Sequence, residues 1–149
     1  MAEATKPSAP AVPARKAAKR FLYVNRKAPY GTIYALEALE VVLIGAAFEQ
    51  QVTLAFLDDG VFQLVKAQDT KAIGMKCFAP TFRAFGDFGV TKLYVERESL
   101  AERGLTLDYL QAITYEDEND GFKEKPSIVL VDRAGLAKVM AEQDVILSF

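Results

Sequence analysis

The chain has 149 residues, 51% of them hydrophobic, and a formal net charge of -2. That length supports one domain with a real core, and the near-neutral balance offers no concentrated basic face of the kind nucleic-acid binders carry. A single cysteine excludes an internal disulfide, which fits a reducing cytoplasm, and the absence of histidine removes the usual imidazole base and metal ligand.

Residues 1–20 are rich in Ala, Pro and Lys, with Glu3 early and no apolar run, so they do not read as a signal peptide. Pro7, Pro10 and Pro13 predict an extended, disordered tail outside the fold. The cluster Arg15, Lys16, Lys19 and Arg20, joined by Arg26 and Lys27, reads as a solvated flank. Phe21–Asn25 is then a strand, Arg26–Thr32 a Pro/Gly turn, Ile33–Phe48 a helix, Val52–Leu57 a strand and Asp58–Val61 an acidic turn, together a βαβ unit. The helix is apolar on nearly every side, whereas a surface helix needs only one apolar stripe. One flank is expected on the sheet and the other, with Tyr30 and Tyr34 nearby, against another subunit. Glu37, Glu40 and its length exclude a membrane span.

Val61–Val65 opens a short helix, Lys66–Met75 reads as loop, and Ala79–Phe85 is a short helix with Pro80 at its start. Lys92–Val95 is a third strand, followed by a helix over Leu100–Arg103 closed by Gly104 and a turn over Thr106–Leu110. Glu116–Lys125 reads as an acidic loop. Ser127–Val131 is a strand, Arg133–Glu142 a helix capped by Asp132, and Val145–Phe149 the last strand. Strands alternating with helices predict a single-domain α/β fold over residues 21–149. Its layers are three, Rossmann-like or flavodoxin-like, around a mostly parallel five-stranded sheet.

The chemistry is sparse. Without histidine no Ser-His-Asp or Cys-His site can be built within the chain, and zinc would lack its usual ligands. Pro29-Tyr30-Gly31-Thr32 supplies one glycine after the first strand, which serves a tight turn capped by Thr32 better than a phosphate cradle. Asp58-Asp59-Gly60 falls where open α/β sheets bind ligands. These carboxylates suit magnesium or acid-base work, and equally a helix cap and turn. Cys77, beside Lys76 and upstream of a short helix, has neighbours that favour a reactive thiolate; free cysteine equally serves as a small buried hydrophobe.

Several segments carry a resemblance. Asn25-Arg26-Lys27-Ala28-Pro29-Tyr30-Gly31-Thr32, Phe56-Leu57-Asp58-Asp59-Gly60-Val61-Phe62-Gln63-Leu64, Tyr94-Val95 with Ser99–Leu105, and Asp144–Phe149 resemble the DsrE/F/H superfamily of sulfur-relay proteins. Within it the chain is similar to the DsrF/TusC branch, on the side of sulfur-oxidising bacteria rather than of tRNA thiolation.

The resemblance implies a Rossmann-like fold, no cofactor, and a cytoplasmic DsrEFH-type (TusBCD-like) heterohexamer with two copies each of DsrE-like and DsrH-like companions. Through that complex it implies a downstream sulfur carrier of the DsrC/TusE type. Sulfur travels in such systems as a cysteine persulfide, loaded and unloaded by thiolate attack. The family's carrier cysteine follows the third strand, a position occupied here by Glu96. A carboxylate cannot hold a persulfide, and Cys77 lies in a different loop. The expectation is a non-carrier subunit without catalysis of its own; the alternatives are a sulfurtransferase loading Cys77, a TusC-like subunit, and a nucleotide or metal module on Asp58 and Asp59.

Overall fold

Alternation in β1 (Arg20–Asn25) sets the layering, with Phe21 and Tyr23 turned to one side and Leu22 and Val24 to the other. The computed structural model describes Ala11, Ala14 and residues 16–149. Most of the tail expected over residues 1–20 therefore lies outside the described residues, while Arg20 already belongs to β1. The same period of two continues in β2 (Gln51–Phe56), β3 (Leu93–Glu96) and β6 (Ile128–Val131). Val52, Leu54, Phe56, Leu93, Val95 and Leu130 meet one core, and Ala55, Tyr94 and Val131 the other. With β7 (Val145–Ser148) these strands form one sheet in the order β6-β3-β2-β1-β7, every pairing parallel. Burial on both faces is what apolar parallel strands require.

The larger core lies under α1 (Tyr34–Ala47) and two 3-10 helices, Asp58–Leu64 and Ala79–Phe88. Phe82 sits edge-on to Phe56 and Phe85, with ring centroids at 5.6 and 5.2 Å, geometry that adds about 1 kcal/mol per pair to area burial. The thinner core is closed by α3 (Arg133–Ala141) through Leu136, Val139 and Met140. Asp132 caps α3 as expected, accepting from the Gly135 N–H at 2.7 Å. α2 (Arg97–Glu102) ends in a Schellman motif: Leu105 N–H reaches Leu100 O, Gly104 N–H reaches Ala101 O, and Gly104 has φ +67.

Three expectations need correction. Thr32 does not cap α1, whose N-cap is Ile33 with no side-chain hydrogen bond. The segment Glu116–Lys125 is no loop: β4 (Thr114–Asp117) and β5 (Lys123–Pro126) form an antiparallel hairpin outside the main sheet. Its ladder is fastened by Lys125, which bridges Asp117 and Asp120, so ion pairs replace the β-branched pattern that would have announced it. Asp58 and Asp59 do not cap the 3-10 helix they begin, whose N-cap is Leu57.

Helix α1 buries Ala35, Ala38, Leu39 and Val42, while Ile33, Tyr34, Leu36, Ile44 and Phe48 stay exposed along and beside it. Its second flank is thus uncovered within one chain. No helix among the described residues is long and apolar enough to cross a membrane.

Candidate functional site

From β1 the chain steps outward through β2 and β3 to β6, then returns to lay β7 on the other side of β1. Connections that diverge from neighbouring strands leave a crevice at their carboxyl ends. A cavity of about 610 Å³ lies there, lined by Arg26, Lys27, Tyr34, Asp58, Asp59 and Phe149, among others. A second cavity, of about 340 Å³, reaches the α3 side and is lined by Glu96, Arg133 and Met140 together with Arg26 and Asp58. Arg26 and Asp58 line both, joined by a 2.9 Å ion pair.

The turn after β2 is forced into place by Gly60. A Cβ there would lie 1.9 Å from Asn25 O, so only glycine permits this approach. Leu57 N–H donates to the same carbonyl at 3.1 Å, and Asp58 adopts φ +52, a region that aspartate tolerates better than most residues. Asp58 N–H then donates to Ser99 Oγ at 2.8 Å.

Ser99 in turn donates its hydroxyl to Glu96, which is 3% exposed. The other Glu96 oxygen accepts from Arg133 Nε at 2.8 Å. That carboxylate, by hydrogen bond and then by charge, holds the Arg133 guanidinium above its ordinary range. The chain Arg26–Asp58–Ser99–Glu96–Arg133 therefore runs across the ends of three central strands into α3. Asp59 pairs with Arg103 at 3.0 Å, and Arg103 also donates to Ser99 O at 3.1 Å.

Asp58 and Asp59 each answer an arginine, and no group of acidic residues or cysteine among the described residues is placed to hold a metal ion. The structure brings Asp58 and Glu96 together and leaves Cys77 elsewhere. Ser99 and Arg133 are the participants that sequence reasoning did not single out. Ser99 appears there only as the start of a longer segment, three residues from Glu96, and no motif marks Arg133, which the meeting of the β3 and β6 ends brings in.

Cys77 is partly buried, with Sγ 3.6 Å from the Tyr30 hydroxyl oxygen. Gln68 gives its amide hydrogens to the carbonyls of Phe62, Gln63 and Val65, which turns its oxygen to accept from Tyr30 at 2.6 Å. The single phenol hydrogen is thereby committed to Gln68, leaving the thiol's own hydrogen for the Cys77–Tyr30 contact. Burial first, and the Cys77 contact second, push the Tyr30 phenol well above its usual range. The arrangement is a packed polar cluster, not a thiol beside a base.

Comparison with known proteins bears on the same residues. A model of the DsrE/DsrF-like family matches residues 19–149. The chain is 55% identical over 131 residues to the intracellular sulfur oxidation protein DsrF of Allochromatium vinosum, covering 88% of this chain and 96% of that protein. It is 40% identical over 89 residues to the TusC homolog of Pseudomonas aeruginosa, covering 60% of this chain and 75% of that protein. The crystal structure of the ychN protein from E. coli superposes with a TM-score of 0.66 at 18% identity, over 88% of this chain and 99% of that one. That last likeness concerns the fold alone.

Proposed function

The chain belongs to the DsrE/DsrF-like family, and on that footing we propose that it is a non-carrier subunit of a cytoplasmic sulfur-relay complex, working beside DsrE-like and DsrH-like companions in dissimilatory sulfur oxidation. Glu96 is the observation that carries the reading. At the position where the resemblance puts a persulfide-bearing cysteine stands a buried carboxylate pinned by Ser99 and Arg133. It has no sulfur to load, and its charge repels an incoming thiolate or persulfide. Sulfur oxidation is favoured over tRNA thiolation because the DsrF likeness runs at higher identity and over more of the chain than the TusC likeness.

In this reading the subunit contributes surface. The exposed residues Ile33, Tyr34 and Leu36 at the start of α1 offer apolar area of the kind obligate interfaces bury. The downstream acceptor of the DsrC/TusE type is served by the complex as a whole. Native mass spectrometry of the chain co-expressed with both companions tests the proposal, the expected species holding two copies of each chain. Ile33→Glu combined with Leu36→Glu should deplete that species while the isolated chain stays folded. A wild-type chain that ignores both companions overturns the reading.

A second reading, with persulfide on Cys77, has the partial exposure of that residue in its favour. There the Cys77 thiolate attacks the outer sulfur of a donor persulfide and releases the donor thiolate. Intact-mass measurement after incubation with a persulfide donor should show one added sulfur that Cys77→Ser abolishes. An unchanged mass under conditions that load a DsrE-like companion sinks it.

A further inference from the structure

The main sheet ends in two edge strands, β6 and β7, and they differ in what covers them. β6 is flanked at its start by the segment leading into the β4–β5 hairpin, where Ser127 N–H reaches Ile113 O at 2.8 Å, and its residues are all half-buried. β7 has neither protection. Helix α1 packs chiefly on β1 and β2, and α3 chiefly on β3 and β6. Ile146 and Leu147, which point to opposite faces, are therefore 46% and 37% exposed. Edge strands are ordinarily kept single by charge, proline or a bulge. Val145–Phe149 holds no charged residue and no proline, and its register against β1 is unbroken. The charges nearest its two ends are already paired, Asp144 with Arg20 and Arg26 with Asp58.

The register also fixes which backbone groups of β7 are free. Phe149 N–H donates to Val24 O and Arg26 N–H donates to Phe149 O, both at 2.9 Å. Leu22 lies beside Ile146 and Val24 beside Ser148. A parallel ladder in that phase engages Val145, Leu147 and Phe149, and turns the N–H and C=O of Ile146 and Ser148 away from β1. No backbone group from elsewhere among the described residues reaches those four.

We propose that β7 pairs antiparallel with β7 of a second copy, about a two-fold axis through Leu147 and normal to the sheet. Ile146 then stands opposite Ser148 of the other copy, and the two exchange both hydrogen bonds. The axis repeats the exchange, so every free group of both strands is satisfied. An axis on Ser148 would leave Ile146 unpaired, and one on Ile146 would set Ser148 against Asp144, whose N–H is already given to Arg20 O. Side chains agree with the same register. Leu147 meets Leu147 of the second copy and Val145 meets Phe149 on one face, and Ile146 meets Ser148 on the other. A second copy is the occupant because β7 is its own complement, in backbone groups and in apolar faces alike. Pairing like edges under a two-fold also closes the contact, whereas β6 added to β7 would leave a free edge at each end and grow without limit. The interface uses none of Ile33, Tyr34 and Leu36, so it stands or falls separately from the proposed function.

Sedimentation velocity of the isolated full chain over a concentration series tests it, the wild type shifting from monomer to dimer. Ser148→Pro deletes an outward N–H that a single edge strand can spare, and Ile146→Lys sets a solvated charge on the edge. Each should weaken the dimer about tenfold or more, while circular dichroism and the melting temperature of the dilute chain stay near wild type. Crosslinking checks the register. Residues opposite each other in a non-hydrogen-bonded pair have Cα atoms about 4.5 Å apart, within disulfide range. In a Cys77→Ser background, Leu147→Cys should therefore oxidise to a covalent dimer, and Ile146→Cys, staggered from its own copy, should not. A wild-type chain that alone stays monomeric up to about 1 mM, whether or not it joins DsrE-like and DsrH-like companions, overturns the proposal. So does a dimer that both edge variants leave unchanged, or one that Leu147→Cys fails to crosslink.

Discussion

The two ends of the sheet treat charge in opposite ways. At the carboxyl end Arg26 answers Asp58, Arg103 answers Asp59 and Arg133 answers the buried Glu96, with Ser99 joining two of these pairs into one chain. At the amino end Glu116 faces Glu124, Phe122 sits strained at a hairpin tip, and Phe48 stands in water. The first end is where open α/β sheets ordinarily bind their ligands, and here Asp58, Asp59 and Glu96 are each paired with an arginine. The second keeps features that cost the isolated chain stability. Charges already paired have less to gain from a change at their partner's position than charges that repel each other.

Substitutions should therefore differ in sign between the two ends. The largest loss is expected from Gly60→Ala, since the added Cβ collides with backbone rather than with a flexible side chain. Denaturant unfolding should show about 2–4 kcal/mol of destabilisation, and a change under 0.5 kcal/mol would mean that the turn is not packed against Asn25. Arg133→Ala comes next, a smaller loss than Gly60→Ala, because it strands the Glu96 carboxylate. The partial exposure of Arg133 and the adjoining cavity keep that loss below the value for a fully enclosed pair. Glu96→Gln retains a hydrogen-bonding group and should cost about 1 kcal/mol. Were Arg133→Ala silent in the same assay, the ion pair would be ornamental.

At the amino end the sign reverses. Phe122→Gly should stabilise the isolated chain by about 0.5–1 kcal/mol, since glycine removes the left-handed penalty and the 63% exposed ring gives up little packing. Glu124→Lys should add a few tenths of a kcal/mol by pairing with Glu116. A loss of stability in both variants would show the hairpin tip to be packed within its own chain and would erase the contrast between the ends.

How much of this was legible in the sequence follows from the reach of each signal. The five parallel strands and the Asp132 cap were readable because period two, period 3.6 and capping chemistry are local. Gly104 was readable for the same reason, as a left-handed helix terminus. The hairpin was not, because its strands are charged and its clasp joins Asp117 to Lys125 across a turn. Nor was the polar chain at the carboxyl end. Ser99 and Arg133 are far apart in sequence and meet at Glu96 only after β3 pairs with β6. Glu96 itself stood out through resemblance, and its burial and partners came from the fold. The apolar excess of α1 was visible as a pattern. Which of its residues stay exposed depended on where the 3-10 helix Ala79–Phe88 settled.

The smallest expected effect concerns acid, and it sharpens the contrast within the amino end itself. The hairpin is held in register by Lys125, which by hydrogen bonding, with the Asn119 amide second, keeps the Asp117 carboxyl below its ordinary value of 3.8. A carboxyl depressed in the folded state contributes stability above its unfolded pKa and loses it as the pH falls through the folded one. The clasp is thus whole at neutral pH and loosens only below about pH 4. Lys125 shows the converse: the hydrogen bonds it donates to Asp117 and then to Asp120 raise it above 10.5, so its contribution is full below that value and is lost as the pH rises past it. The Asn119 N–H, which donates to Asp117 at 3.0 Å, and the Phe122 N–H, which donates to Asp117 O at 2.9 Å, are the reporters. Their proton resonances should hold steady down to about pH 4 and move together below it, with exchange of the Phe122 amide quickening. A midpoint at or above the ordinary aspartate value would mean that Lys125 does not hold Asp117. The tip would then flex freely, and a flexible tip could not store strain at Phe122.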